Sequence, residues 1–293
     1  MRVAWIGLGV MGRSMAGHVL DAGHDLVAHT RTPATADDLV ARGARWADTP
    51  ADAAAGADAV AVMVGHPNDV RDVVLGARGA LDAMEPGSLL VDFTTSEPSL
   101  AIEIEQTATD RGIGALDAPV SGGDVGARDA TLSIMVGGTD AAFGRAEPLL
   151  ELLGTTVVHQ GPAGAGQRTK LVNQILVAGT MIGMSEALLY AREVGLDAEQ
   201  VLASVGGGAA ASWALQNLAP RVIDGDLAPG FYVEHFVKDL GIAVRDADAR
   251  GLDLPGLSLA RRLYTELEAQ GGARLGTQAL VAALASLNGR DWP

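Results

Sequence analysis

Of the 21 basic residues in this 293-residue chain, only Lys170 and Lys238 are lysines. Arginine stays protonated at any ordinary pH, whereas a lysine can release its proton once burial or a neighbouring cation lowers its pKa. Where arginine serves almost every need for positive charge, a retained lysine points to proton transfer, which general acid–base catalysis requires. Lys170 stands in an otherwise apolar helical run. Asn173 and Gln174 follow three and four residues on, so all three share one helix face. Arg168 close by favours the neutral amine. Lys238 lies in the segment Phe231–Leu240. An ion pair with a neighbouring acid there would be worth little, and the adjacent Asp239 is expected to face elsewhere.

A second constellation is the run Gly7-Leu8-Gly9-Val10-Met11-Gly12, a G-x-G-x-x-G that follows a strand-like segment and opens a helix. In that context Gly7 allows a tight turn, Gly9 lets backbone N–H groups approach a pyrophosphate, and Gly12 lets the helix pack close to the strand. An NAD site commonly places an acid about 20 residues further on, to hold the ribose 2′-hydroxyl. That place reads Ala28-His29-Thr30-Arg31-Thr32-Pro33 and contains no acid. The Arg31 fork between two hydroxyls suits a 2′-phosphate. The expectation is NADP in preference to NAD, with NAD still possible.

These residues need elements to position them. In the first half, short β-branched runs (Val3–Ile6, Leu26–His29, Ala59–Val64, Leu89–Asp92, Ala115–Asp117, Leu132–Val136) alternate with helical patterns (Gly12–Ala22, Thr35–Arg42, Asn68–Leu75, Ser99–Arg111). That rhythm predicts βαβ units in a doubly wound parallel sheet. After the turn-rich Gly161–Gly166 the strands stop. Gln167–Val194 reads as one helix, apolar almost all round, of the kind usually buried against another domain or subunit. Further helices are expected over Ala198–Ser204, Ser212–Val222, Phe236–Ala249, Ser258–Gln270 and Gln278–Leu287. The predicted architecture is an α/β Rossmann-type domain over 1–162 followed by an all-helical domain over 163–293, with a hinge near 161–168 and Lys170 facing an interdomain cleft.

Bulk properties narrow the partners. A formal charge of −15 disfavours nucleic acid. The absence of cysteine excludes thiol catalysis and disulfides. The six histidines form no H-x-x-H pattern, so no metal is expected. The chain enters a strand at once, and the apolar stretch Ile175–Met184 is short for a membrane span. A cytoplasmic protein, off the membrane, is therefore expected. The helix without a polar face predicts a homodimer or homotetramer.

Four segments in order (Gly7–Gly12; Asp117-Ala118-Pro119-Val120-Ser121-Gly122-Gly123; Gly161-Pro162-Ala163-Gly164-Ala165-Gly166-Gln167-Arg168-Thr169-Lys170-Leu171-Val172-Asn173; Lys238-Asp239-Leu240) resemble the β-hydroxyacid dehydrogenases over essentially the whole chain. That family includes 3-hydroxyisobutyrate dehydrogenase, tartronate semialdehyde reductase and the glyoxylate/succinic semialdehyde reductases. The resemblance implies a hydride transfer between a nicotinamide and a small anionic 3-hydroxy acid or semialdehyde. Lys170 would be the acid/base, and Asn173 would orient it or the substrate oxygen. Ser121, Gly122 and Gly123 would hold the substrate carboxylate. Val64 and Thr94 would touch the cofactor and Thr95 the substrate edge. Lys238 would close over the cofactor, with Phe231 and Asp239 near the substrate.

The sequence departs from the family at Ala130, where a glycine is usual, and in the Arg128-Asp129 charge pair. Gly206-Gly207-Gly208 and Trp213 read equally as pocket lining or as a helix break and a core aromatic. Imine reductases share the scaffold but generally lack the lysine at position 170. A non-catalytic NADP-binding protein would have no need of Lys170 and Asn173 together. The 6-phosphogluconate dehydrogenases are much longer, and no sugar-phosphate site is evident here.

Overall fold

The computed structural model describes residues 1–292. The first compact unit runs from Met1 to Lys170 and the second begins at Leu171. In the first, the apolar runs form β1 (Arg2–Ile6), β2 (Asp25–His29), β4 (Ala59–Val62), β5 (Leu89–Asp92) and β6 (Gly114–Asp117), all parallel, with the short β3 (Arg45–Trp46) at the edge. The sheet order is β3-β2-β1-β4-β5-β6-β8-β7, with β9 (Gly154–Gly161) paired to β8 (Leu132–Gly138).

The expected parallel sheet is therefore parallel-dominated rather than uniform. β8 runs antiparallel to β6 and to β7 (Val120–Ser121), while β9 is parallel to β8. Between β7 and β8 only residues 122–131 intervene, fewer than the dozen or so that a parallel crossover takes, and β8 returns antiparallel to β7. β3, β7 and β9 left little trace in the sequence. The first two are two residues long, and β9 is largely solvent-exposed, without an apolar run.

Alternate residues of the central strands feed opposite cores. Val3, Trp5, Leu26, Ala59, Ala61 and Val91 pack on the side of helices Val10–Asp21 and Asp140–Leu150. Ala4, Ile6, Val27, Val60, Val62 and Leu90 pack on the side of helices Pro67–Leu75 and Pro98–Thr109. Burial on both faces is why these strands read as unbroken apolar runs.

The helix Ala165–Glu193 starts within the first unit and continues into the second. By length and composition, with mean hydropathy 1.3 over its most apolar 18 residues, it is long enough to cross a membrane, which extends the short apolar stretch expected from sequence. It has two faces rather than one all-round buried surface. Gln167, Lys170, Leu171, Gln174, Ala178, Met181, Met184, Ser185 and Leu188 are buried, and four of these are polar. Val172, Leu176 and Tyr190 are 57%, 67% and 68% exposed. The buried polar face marks it as a core helix of a folded domain.

In the second unit, helices Val233–Asp248, Pro255–Ala269 and Leu280–Leu287 pack with it around Phe236 and Tyr264, whose rings meet edge-on at 4.8 Å. The single helix expected over Ser212–Val222 is two, Trp213–Asn217 and Ala219–Ile223. Pro220 supplies no N–H to continue the first. Thr35–Arg42 likewise begins as a 3₁₀ turn at Pro33 before the α-turn Asp37–Ala41.

Candidate active site

The sheet order reverses between β1 and β4, the switch point at which open α/β sheets leave a crevice at their C-terminal ends. At the end of β1, Gly7 has φ +97°, and a Cβ there would collide with the Met63 carbonyl oxygen. A Cβ at Gly12 would collide with the Gly7 carbonyl oxygen. Only glycines let strand, loop and helix meet this closely. The Trp5 indole donates to the same Gly7 carbonyl at 3.1 Å and stacks on Phe93. The helix Val10–Asp21 has no side-chain cap, Gly9 and Val10 are exposed, and no atom lies within 4 Å of a Cβ built at Gly9. Its first N–H groups are thus open to an anion, and this cradle fits a dinucleotide pyrophosphate. The Leu8 side chain is buried in the core, so only its backbone can serve the cofactor.

Thr30 is half-buried and Thr32 exposed at the end of β2. The Arg31 side chain is 84% exposed, and its Nη1 lies 3.2 Å from Asp69 Oδ1. The other oxygen of Asp69 accepts the His66 N–H at 3.1 Å. Asp69 stands in the first turn of the helix Pro67–Leu75 that follows β4, so the sequence step at β2 gave no hint of it.

The loops after β4, β5 and β6 are knotted together by buried hydrogen bonds. Val64 N–H donates to Thr94 Oγ1 at 3.0 Å, and Thr94 N–H donates to Asp92 Oδ1 at 2.9 Å. The buried Gln167 carboxamide accepts from Ser96 N–H at 2.8 Å and donates to the Thr94 carbonyl at 2.7 Å. Asp117 accepts the N–H groups of Gly164 and Gln167, each at 2.7 Å, and so caps the long helix. Burial pushes the Asp117 carboxyl up to about 6, against those hydrogen bonds and the charge of Arg168. Lys170 is buried one turn beyond Gln167 on the same helix. Thr95 is half-buried between Thr94 and Ser96.

Ser121 ends β7 opposite Ser133 and is followed by Gly122 (φ +138°) and Gly123 (φ +64°). These glycines lead into the helix Gly123–Arg128, whose last carbonyls, Ala127 and Arg128, both lie 3.0 Å from His18 Nε2 on the first helix. Ala130 has φ +54°, so alanine occupies the left-handed conformation where the family resemblance expected glycine. Asp129 accepts from Arg128 at 2.9 Å, and the guanidinium holds its carboxyl below the usual range.

In the second unit, Asn173 Nδ2 donates to Gln174 Oε1 at 2.8 Å, and Gln174 Nε2 donates to the buried Asp239 Oδ2 at 2.6 Å. Lys238 Nζ lies 3.1 Å from Asp239 Oδ1. This corrects the expectation that Asp239 faces away from Lys238: the lysine stem is long enough to fold back onto its neighbour's carboxylate. Phe231 packs against Phe236 and His235. Trp213 is exposed, not a core aromatic, and Ser212 Oγ caps its helix by accepting from Leu215 N–H at 3.1 Å. Sequence reasoning passed over Asp117, Gln167 and Asp69. The first two stand inside quoted motifs, but nothing in their types distinguishes a buried cap from a surface residue.

Residues 2–161 match the model of the NAD binding domain of 6-phosphogluconate dehydrogenase. Residues 164–284 match that of the NAD-binding domain of NADP-dependent 3-hydroxyisobutyrate dehydrogenase. The chain is 47% identical to the 3-hydroxyisobutyrate dehydrogenase-like protein 1 of Arabidopsis thaliana, over 98% of this chain and 86% of that one. It is 39% identical to the 2-hydroxy-3-oxopropionate reductase of Escherichia coli, over 97% of each. The 3-hydroxyisobutyrate dehydrogenase of Mycobacterium tuberculosis, solved with L-serine, superposes with a TM-score of 0.89 at 33% identity, covering 97% of this chain and 99% of that one.

Proposed function

This chain belongs to the NAD(P)-binding hydroxyacid dehydrogenases typified by 3-hydroxyisobutyrate dehydrogenase, and on that premise we propose an NADP-linked enzyme that interconverts a small 3-hydroxy acid and its semialdehyde, with Lys170 as general acid/base. The observation that carries this reading is Lys170 on the buried polar face of the long helix, one turn from the clamp on the Thr94–Ser96 loop. When bound, the nicotinamide supplies or takes up the hydride. Lys170 gives a proton to the substrate oxygen in reduction and removes it in oxidation. Asn173, one turn on, orients that lysine. Ser121 and the Gly122-Gly123 turn hold the substrate carboxylate, and Thr95 its edge. The resemblance adds Lys238 as a cofactor contact, and Phe231 and Asp239 as substrate contacts.

Arg31 supports NADP. Its surface pair with Asp69 is worth little, so the guanidinium can exchange that carboxylate for a bidentate 2′-phosphate. Assembly as a homodimer or homotetramer through the exposed face with Val172, Leu176 and Tyr190 is part of the same proposal. Sedimentation of wild type and Leu176→Glu checks it, the variant being expected to shift towards monomer.

The deciding experiment follows NADPH oxidation with succinic semialdehyde, glyoxylate, tartronate semialdehyde, methylmalonate semialdehyde and a cyclic imine. Turnover of one semialdehyde that is lost in Lys170→Ala and Lys170→Arg, with NADPH still bound, supports the reading. Turnover of the imine alone, of no carbonyl, or without dependence on Lys170 defeats it.

A further inference from the structure

Gln167 is a fully buried amide whose side chain has no contact with bulk water and uses both ends of its carboxamide. Its oxygen takes the Ser96 N–H and its nitrogen gives to the Thr94 carbonyl, so one planar group grips the loop at both sides of Thr95. Its own backbone N–H is fixed in turn by Asp117, at the end of β6. Thr94 carries the chain of bonds on to Val64 at the end of β4. Lys170 follows Gln167 by three residues on a continuous helix, so the two side chains leave the same face.

We propose that Gln167 is a positioning residue for the reaction: its carboxamide fixes the Thr94–Ser96 loop against the helix turn that carries Lys170, and so sets the lysine's distance from whatever the loop holds. The inference rests on the proposed function, because it assigns Gln167 a role in presenting Lys170 to substrate. A leucine of similar volume would fill the space and lose both bonds, leaving a buried N–H and a buried carbonyl without partners. Displacement of a reacting group by about 1 Å costs on the order of 100-fold in rate.

The Gln167 carboxamide uses one donor and one acceptor here. A protonated glutamic acid can make the same two bonds, whereas an ionised glutamate has only acceptors, one of which would face the Thr94 carbonyl. Gln167→Glu therefore converts the clamp into a titratable one. The charged groups around it are Asp117, which holds the Gln167 N–H, Asp92, which holds the Thr94 N–H, and Arg168 and Lys170 on the helix. Gln167→Leu keeps the same neighbours without a carboxyl, so a pH dependence present in the Glu ratio and absent from the Leu ratio reports the introduced carboxyl together with its coupling to them.

The test measures kcat, KM for NADPH and thermal unfolding of wild type, Gln167→Leu and Gln167→Glu across acid to neutral pH, on the substrate that wild type turns over in a Lys170-dependent way. For Gln167→Leu we expect kcat down on the order of 100-fold, a much smaller change in KM for NADPH, and a ratio to wild type that is flat with pH. For Gln167→Glu the ratio should climb as pH falls and the carboxyl gains its proton. Variants that keep wild-type kcat while melting earlier would make Gln167 merely structural and overturn the inference. So would a Glu ratio as flat as that of Leu. If wild type turns over nothing, the proposed function has failed, and the clamp is read without substrate. Amide exchange at Ser96 should then speed up in Gln167→Leu, and unchanged exchange overturns the clamp itself.

Discussion

The long helix carries two polar knots, one in each compact unit, and they are built differently. The first, at Gln167, bonds almost entirely to backbone: Ser96 N–H, the Thr94 carbonyl, and through Asp117 the N–H groups of Gly164 and Gln167. The second, at Gln174, bonds side chain to side chain, from Asn173 through Gln174 to Asp239, with Lys238 closing on the other carboxylate oxygen. A knot tied to backbone fixes where loops run. A knot of side chains fixes where a charge sits, here the ammonium of Lys238. Buried charge is costly unless paired, so the second knot should fail by losing stability and the first by losing geometry or pH behaviour.

The largest expected effect lies between the knots. Lys170→Ala should lower kcat by roughly 10²–10⁴-fold, the usual worth of a positioned proton donor, with little change in melting temperature, and steady-state kinetics reads it. Next is the charged knot. Asp239→Ala removes one buried contact of Lys238 and the acceptor of Gln174, and should cost on the order of 3 kcal/mol in denaturant unfolding. A loss as small as that of a surface pair would erase the distinction drawn between the two knots.

The backbone-bonded knot should show itself through pH. Burial pushes the Asp117 carboxyl from its ordinary 3.8 up to about 6 when folded. Near pH 4 the folded carboxyl is largely protonated. As pH rises the unfolded chain ionises first, so this group withdraws up to about 3 kcal/mol of stability by the time pH passes 6. Asp117→Asn removes that slope. The stability of wild type minus that of the variant should fall between pH 4 and pH 7, and a constant difference would place the carboxyl at an ordinary pKa. The smallest effect is a control outside both knots. Ala130→Gly, at φ +54°, should gain about 0.5–1 kcal/mol by relieving the left-handed alanine, without changing kcat/KM more than the substrate loop allows.

How far the sequence could be read depends on burial. β1, β4 and β5 are buried on both faces and appear as unbroken apolar runs, so their places were legible. β9 is mostly exposed and its run Thr155-Thr156-Val157-Val158 was not. The helix Ala165–Glu193 was legible in extent but not in orientation, because apolar residues on both faces leave periodicity nothing to separate. Gly7, Gly12 and Lys170 were legible because their types are scarce or sterically demanding in context. Gln167 and Asp117 have ordinary side chains, and only their neighbours make them special.

The sequence alone determined the two-part architecture, the glycine turn at the cofactor end, the lack of an acid after β2 and the scarcity of lysine that singles out Lys170. Each is a matter of local pattern or residue type, set by covalent geometry, apolar burial or pKa range. Only the tertiary structure decided that Asp69 stands beside Arg31, that Lys238 folds back onto Asp239 and that Gln167 grips the loop around Thr95. Those pairings depend on hydrogen-bond directions between segments distant in sequence or on the path of a flexible side chain, which no local pattern encodes.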